Sequence, residues 1–239
     1  MVLTLFDFRS RIEYSLCQQF ASNEDVKTFC ERAKKSKVGV ACVNPVNVKL
    51  ACELLKGENI ELSCNVGFPF GSHFTEIKVI ETKKGVEDGA TQIDMVINVG
   101  ALRSRKDNVV YDDIKAVVEA AGGRVVKTII ETWVLDDEEK KRACLIAEKG
   151  GAAIVKTTTG VQTQYLKLIT ENPKGAVLDD IVLMRRALSP DVLIKASGGI
   201  YDLDYAFKLL KNGADQLGVS RGEELIDEFV KRYGNEVDI

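Results

Sequence analysis

Four charged residues interrupt apolar, β-branched runs of this chain: Asp94 in QIDMVIN, Lys127 in VVKTII, Lys156 in AIVKTT and Lys195 in LIKASGG. Such runs are the vocabulary of buried strands, and burying a lone ammonium is costly. Any one of these lysines could point outward and lay its stem beneath a helix. Three lysines and an aspartate at corresponding places in four strands instead suggest inward side chains that converge on one site.

Convergence would give the amines a chemistry. An ordinary lysine has a pKa near ~10.4, so about one in a thousand is neutral at pH 7, and only the neutral amine attacks a carbonyl. Two ammonium groups roughly 6 Å apart at an effective dielectric of ~20 repel by about 3 kcal/mol, or ~2 pKa units. Burial pushes the same way. Crowded lysines are therefore expected to make a nucleophilic amine, one that forms an imine with an aldehyde or ketone. An imine is an electron sink for the carbanion left when a C–C bond breaks. Asp94 opposes the shift if ionised, and it can carry the protons that imine chemistry needs. The residues alone leave open which lysine acts.

Such groups need strands that end at one place. Seven strand-like runs are visible, at 38–43, 61–68, 91–98, 124–131, 152–158, 192–198 and 216–220, and IEYSL (12–16) supplies a weaker eighth. Helical patterns lie between them. Leu203, Ala206, Phe207 and Leu210 share one helical face, and DDEEKKRACLIAEKGG starts acidic and ends in Gly-Gly, as helix dipole and C-cap rules favour. Several strands follow a Gly-Ala punctuation, which implies parallel strands joined by crossover helices. Eight such units in 239 residues are the size of a (β/α)8 TIM barrel with a short N-terminal extension, read as a single domain over 1–239. The alternative is an open doubly wound sheet, but no strand is followed by G-x-G-x-x-G. The longest irregular stretch, about 159–177, is read as functional or mobile.

In a barrel, chemistry sits at the C-terminal strand ends, and the last two strand–helix turns often hold phosphate. Here those turns read ASGGI and LGVSRGEEL. Gly198 and Gly199 permit close backbone approach, while Gly218, Ser220 and Arg221 open the last helix, where N–H groups attract anions.

Composition excludes several classes. A formal net charge of −3, with no basic stripe, argues against nucleic-acid or membrane-surface partners. No run approaches membrane-spanning length, and Asp7, Arg9 and Arg11 interrupt the N-terminal apolar stretch, so a cytoplasmic location is expected. The six cysteines lack a CxxC and read as reduced thiols. The single histidine, His73, leaves no His cluster for a catalytic metal. It is read as capping or lining the loop after the third strand. Cys42 is read as a core thiol near the site, and Trp133 as structural.

The ordered motifs NVGFPFGSHFTEIKVIE, GATQIDMVINVGAL, VVKTIIET, IVKTTTG and IKASGGI resemble, from about Val38 to Ser220, those of the deoxyribose-phosphate aldolases. The resemblance implies a metal-free class I aldolase on a (β/α)8 barrel, needing no cofactor. It would cleave 2-deoxy-D-ribose 5-phosphate to D-glyceraldehyde 3-phosphate and acetaldehyde. It implies Lys156 as the Schiff-base lysine, Lys195 as its tuning and proton-sharing neighbour, Asp94 as acid–base residue and Lys127 in support. It also implies Gly160, Gly198, Gly199, Gly218 and Ser220 at the phosphate, and a homodimer or homotetramer. The chain departs from the pattern at Glu13 and Tyr14, which replace Asp and His, at Tyr201 in place of Arg, and at Arg221 in place of Ser. Arg221 is expected to restore the positive charge lost at Tyr201. Two other readings remain: an aldolase for a related phosphorylated sugar, and a non-catalytic sugar-phosphate binder.

Overall fold

The structure, a computed structural model, describes residues 2–161 and 175–239. Most of the irregular 159–177 stretch lies outside the described residues.

The chain opens with β1 (Val2–Thr4) and α1 (Leu5–Arg11). There follow β2 (Ile12–Leu16), α2 (Asn23–Ser36), β3 (Val40–Val43), α3 (Val48–Leu54), β4 (Glu61–Val66) and α4 (Thr75–Glu87). Next come β5 (Gln92–Val96), a short α5 (Val99–Arg103), α6 (Asp107–Ala120), β6 (Val125–Ile129) and α7 (Asp137–Lys149). The chain continues through β7 (Ile154–Lys156), α8 (Leu178–Ala187), β8 (Leu193–Ser197), α9 (Leu203–Lys211), β9 (Gln216–Val219), α10 (Gly222–Tyr233) and β10 (Glu236–Asp238). Strands β2 to β9 pair in sequence order and close into a barrel, every pair parallel. This is the expected (β/α)8 architecture, and the weak eighth strand occupies Ile12–Leu16 as read.

The helices form where the sequence supplies caps and one apolar face. Asp136 Oδ1 accepts from Glu139 N at 2.8 Å, and Glu139 Oε2 accepts from Asp136 N at 3.1 Å. This reciprocal box starts α7, and such a cap contributes about 1 kcal/mol. On α9 the expected stripe of Leu203, Ala206, Phe207 and Leu210 is buried.

Because side chains alternate along a strand, each barrel strand sends one set inward and one beneath the helices. Ile93 and Met95, flanking Asp94, join the apolar core. Asp94 is left on the other face, opposite Lys127 in the ladder, as Lys156 is opposite Lys195. The N-terminal extension does something the strand pattern did not signal. β1 pairs antiparallel with β10, Leu3 against Val237. Beside this clasp, Phe8 stacks on Phe229 at 5.0 Å and meets Phe207 edge-on at 5.8 Å.

Candidate active site

Five ionisable side chains meet inside the barrel. Asp94 Oδ2 accepts from both Lys156 Nζ and Lys195 Nζ, each at 2.8 Å, and Asp94 Oδ1 lies 3.1 Å from Lys127 Nζ. Strands β5, β6, β7 and β8 each contribute one of these four residues. The fifth is Glu13 on β2, whose carboxylate accepts from Lys127 and Lys195. Sequence reasoning treated Glu13 only as a departure from a family pattern. A glutamate inside the otherwise apolar start of IEYSL was the signal available, the same signal that singled out the lysines.

Lys127, Lys195 and Asp94 are fully buried, Glu13 is 1% exposed, and Lys156 alone keeps 5%. With all three lysines protonated, the two carboxylates would leave one positive charge uncompensated, so one amine can give up its proton at the least electrostatic cost. Burial raises the Asp94 carboxyl, but Lys127, Lys156 and Lys195 outweigh it and hold the group well below the usual carboxylate range. Burial and the Asp94 charge push Glu13 up, yet its lysine partners leave it lowered. For Lys127, burial is outweighed by Asp94 and Glu13, and its pKa is raised.

The two remaining amines correct the expectation of a depressed Lys156. Burial lowers it, but Asp94 and then Glu13 more than compensate, so Lys156 rises above the ordinary lysine value. Lys195 is the lysine brought down: burial outweighs Asp94 and Glu13, and repulsion from Lys156 and Lys127 adds to it. Like-charge crowding does operate here. The carboxylates decide where it falls, and the sequence showed only one of them as a site residue.

Above this cluster opens a cavity of about 650 Å³. Ser197, two residues beyond Lys195 on β8, lines it, as do Ser15 and Cys17 beyond Glu13. The charges thus sit one layer of inward side chains below the mouth. Gly160, Gly198, Gly199, Gly218 and Ser220 all line the cavity. Gly198 has φ +92° and its Cα packs near Gly160, a close approach that a side chain would obstruct. Gly218 makes room: a Cβ there would lie 2.8 Å from Lys195 Cε and 2.7 Å from Ser197 Oγ.

Arg221 is absent from the described lining. Its guanidinium lies 5.9 Å from the Tyr201 ring centre and 3.4 Å from Glu224. No lysine or arginine occurs among the described residues that line the cavity; donors there are backbone N–H groups, hydroxyls and amides.

The other residues singled out fall outside the charge cluster. His73 is exposed in the segment between β4 and α4 and is not among the residues lining the cavity. Tyr14 points to the helices, its ring 4.5 Å from Phe29 and its hydroxyl donating to Glu223 at 3.2 Å. Trp133 Nε1 donates to the Gly175 carbonyl at 2.8 Å. All six cysteines are free thiols. Cys42 is buried and donates to Asn65 Oδ1 at 3.4 Å, while Asn65 Nδ2 donates to Cys17 Sγ at 3.1 Å. Glu13, Cys42 and Asp94 bring three potential metal-ligand atoms within 4.8 Å of one another. Both carboxylates are ion-paired with lysines there, and the positive charge of those lysines would repel a cation.

Comparison with known proteins identifies the family and the fold. The sequence pattern described as DeoC/LacD family aldolase matches residues 2–222. The chain is 42% identical over 228 residues to a deoxyribose-phosphate aldolase of Thermotoga maritima, covering 95% of this chain and 88% of that one. It is 43% identical over 211 residues to the Streptococcus gordonii protein of the same name, covering 88% and 91%. Among solved structures, a tetrameric deoxyribose phosphate aldolase from Aeropyrum pernix superposes with a TM-score of 0.84 at 29% identity, covering 95% of this chain and 92% of that one. The TIM barrel, the buried lysine–carboxylate cluster and these likenesses together show that the chain belongs to the DeoC/LacD family of aldolases.

Proposed function

We propose that the protein is a class I aldolase that reversibly cleaves 2-deoxy-D-ribose 5-phosphate to D-glyceraldehyde 3-phosphate and acetaldehyde, with Lys156 as the Schiff-base lysine. The observation that carries this reading is the pair of amines, Lys156 and Lys195, on one oxygen of a buried aspartate. Lys156 holds its proton more tightly than Lys195 does. Lys195, with its lowered pKa, can accept that proton through Asp94 Oδ2, and the freed Lys156 amine adds to the C1 carbonyl of the open-chain sugar.

Loss of water from the carbinolamine gives the iminium. A base removes the proton from the C3 hydroxyl, and the C2–C3 bond pair moves into the iminium to leave an enamine and release glyceraldehyde 3-phosphate. Protonation of C2 and hydrolysis return acetaldehyde and the free lysine. Asp94 and Lys195 are the groups placed to hold and return these protons. Lys127 supports them by balancing both carboxylates. The phosphate fits the mouth formed by Gly160, Gly198, Gly199, Gly218 and Ser220, at the opening of α10, where N–H groups favour an anion. Arg221 stands near, across Tyr201, as a long-range positive charge.

The reaction is tested by following aldehyde release from deoxyribose 5-phosphate beside ribose 5-phosphate and fructose 1,6-bisphosphate, with and without EDTA. The reading expects cleavage of the first, undiminished by EDTA and lost in Lys156→Ala. Cleavage of another of these sugars in its place would assign a different substrate. Sugar-phosphate binding with no cleavage would make the protein a binder.

We also propose that copies of the chain associate as a homodimer or homotetramer in the cytoplasm. Exposed Phe70, Phe74, Ile77 and Ile80 follow one another into α4 and support association. Among the described residues, no helix is long and apolar enough to cross a membrane. Light scattering that returns a monomer mass at micromolar concentration would overturn the oligomer.

A further inference from the structure

Glu13 has a geometry that a simple countercharge would not need. Its two oxygens diverge, Oε2 to Lys127 and Oε1 to Lys195. Asp94 mirrors it, with Oδ1 3.1 Å from Lys127 and Oδ2 2.8 Å from Lys195. Glu13, Lys127, Asp94 and Lys195 thus close a ring of alternating charge. Lys156 stands outside this ring, tied to it through Asp94 Oδ2 at 2.8 Å.

Lys156 and Lys195 share that one oxygen, so a proton can pass between them. Lys156 ammonium with Lys195 amine becomes Lys156 amine with Lys195 ammonium, and the net charge of the site is unchanged. Glu13 is bonded to the receiving amine and not to the donating one. Its charge therefore favours the proton on Lys195 more than on Lys156, because Coulomb attraction falls with distance.

The other groups around the ring have been placed. Ser63 and Asn65 on β4 are neutral, and Ser63 Oγ accepts from Lys127 Nζ at 3.3 Å. Cys42 on β3 is held protonated, its thiol raised well above the usual value by hydrogen bonding to Cys17 and by burial, and Cys17 in turn is lowered by that bond. Gly218 on β9 has no side chain to add. Glu131, between β6 and the turn that follows, acts on Lys156, and Lys127 repels Lys195. Glu13 is the carboxylate that hydrogen-bonds Lys195 and not Lys156, the two amines that share Asp94 Oδ2.

We propose that Glu13 is a positioning residue that draws the shared proton onto Lys195 and so leaves Lys156 neutral for attack on the sugar carbonyl. The inference deepens the Schiff-base reading above and rests on it.

The test is the pH profile of kcat/KM for deoxyribose 5-phosphate in Glu13→Gln, with circular dichroism to confirm the fold. Loss of the carboxylate should move both limbs to lower pH by about 1–2 units and lower the maximum at least about ten-fold. KM should stay near the parent value, because Glu13 lies below the mouth. Glu13→Asp, which restores the charge, should return the limbs toward the parent positions. Limbs that stay in place in a folded Glu13→Gln protein would overturn the inference and leave Glu13 a structural residue.

Should Glu13→Gln fail to fold, Glu13→Gln/Lys127→Met removes balanced charges, and its limbs should lie below those of Lys127→Met. Coincident limbs in that pair overturn the inference equally. Borohydride trapping of acetaldehyde on the parent protein separates the two claims. Labelled Lys156 with unmoved limbs overturns only the role of Glu13, whereas an unlabelled Lys156 overturns the Schiff-base reading itself.

Discussion

At the scale of single residues, the proposed chemistry turns on one carboxylate divided between two amines. Removing that carboxylate separates binding the aldehyde from completing turnover. In Asp94→Asn, Lys156 loses the partner that raises its pKa, so imine formation with acetaldehyde persists at neutral pH. Turnover falls by about 10²–10⁴-fold, because a proton carrier is gone. Reductive trapping and steady-state kinetics on the same preparation check this, and loss of both together would contradict it. Gly218 makes a second residue-scale prediction. A methyl group there meets Lys195 Cε at 2.8 Å, so Gly218→Ala displaces the amine and lowers kcat about ten-fold or more, read by initial rates. The lysines and Asp94 were legible because each breaks an apolar strand. The placing of their charges was not, since it depends on Glu13, whose approach to Lys127 and Lys195 is made only by barrel closure.

At the scale of elements, a buried charge is not by itself a sign of chemistry. Lys78 on α4 is fully buried, and its Nζ lies 2.5 Å from Asp113 on α6 and donates to the Val96 carbonyl at 2.8 Å. Asp113 also accepts from Thr75 Oγ1 at 2.9 Å. This pair fastens two neighbouring helices to the end of β5, and it lies in a helical stretch, not a strand. Lys78→Met leaves Asp113 buried and unpaired, and costs about 3–5 kcal/mol in chemical denaturation. Glu131, between β6 and the turn that carries Trp133, gives a pH-dependent counterpart. Burial raises its carboxyl to about 7, despite the hydrogen bond from Thr159 N at 3.2 Å. A carboxyl whose folded pKa lies above its unfolded value contributes stability below the unfolded value and loses it as pH rises through the folded one. Glu131→Gln therefore gains Tm relative to the parent at pH 8.5 and little or nothing at pH 5, a difference that thermal scans resolve. Strand and helix positions were readable from periodicity and Gly punctuation. These cross-element ties were not, because they join residues 18 to 38 positions apart or, for Glu131 and Thr159, depend on how two strand ends meet.

At the scale of the molecule, the barrel separates a clasp of chain ends from the mouth proposed to take the sugar phosphate. β10 pairs with β1, Leu5 N donates to the Asn235 carbonyl at 2.7 Å, and no residue after Ser220 is among the described lining of the mouth. Deleting residues 236–239 is expected to lower Tm and leave KM for the sugar phosphate unchanged, checked by thermal scans and kinetics. The eightfold alternation of strand and helix was plain in the sequence, but the clasp was not, because three-residue strands carry no period. The central claim remains that Lys156 is the amine that becomes covalent. Its most direct test is borohydride reduction in the presence of acetaldehyde, followed by peptide mass mapping. The account predicts one ethyl group on Lys156, abolished in Lys156→Ala. An ethyl group on Lys195 or Lys127 with Lys156 unmodified would contradict it.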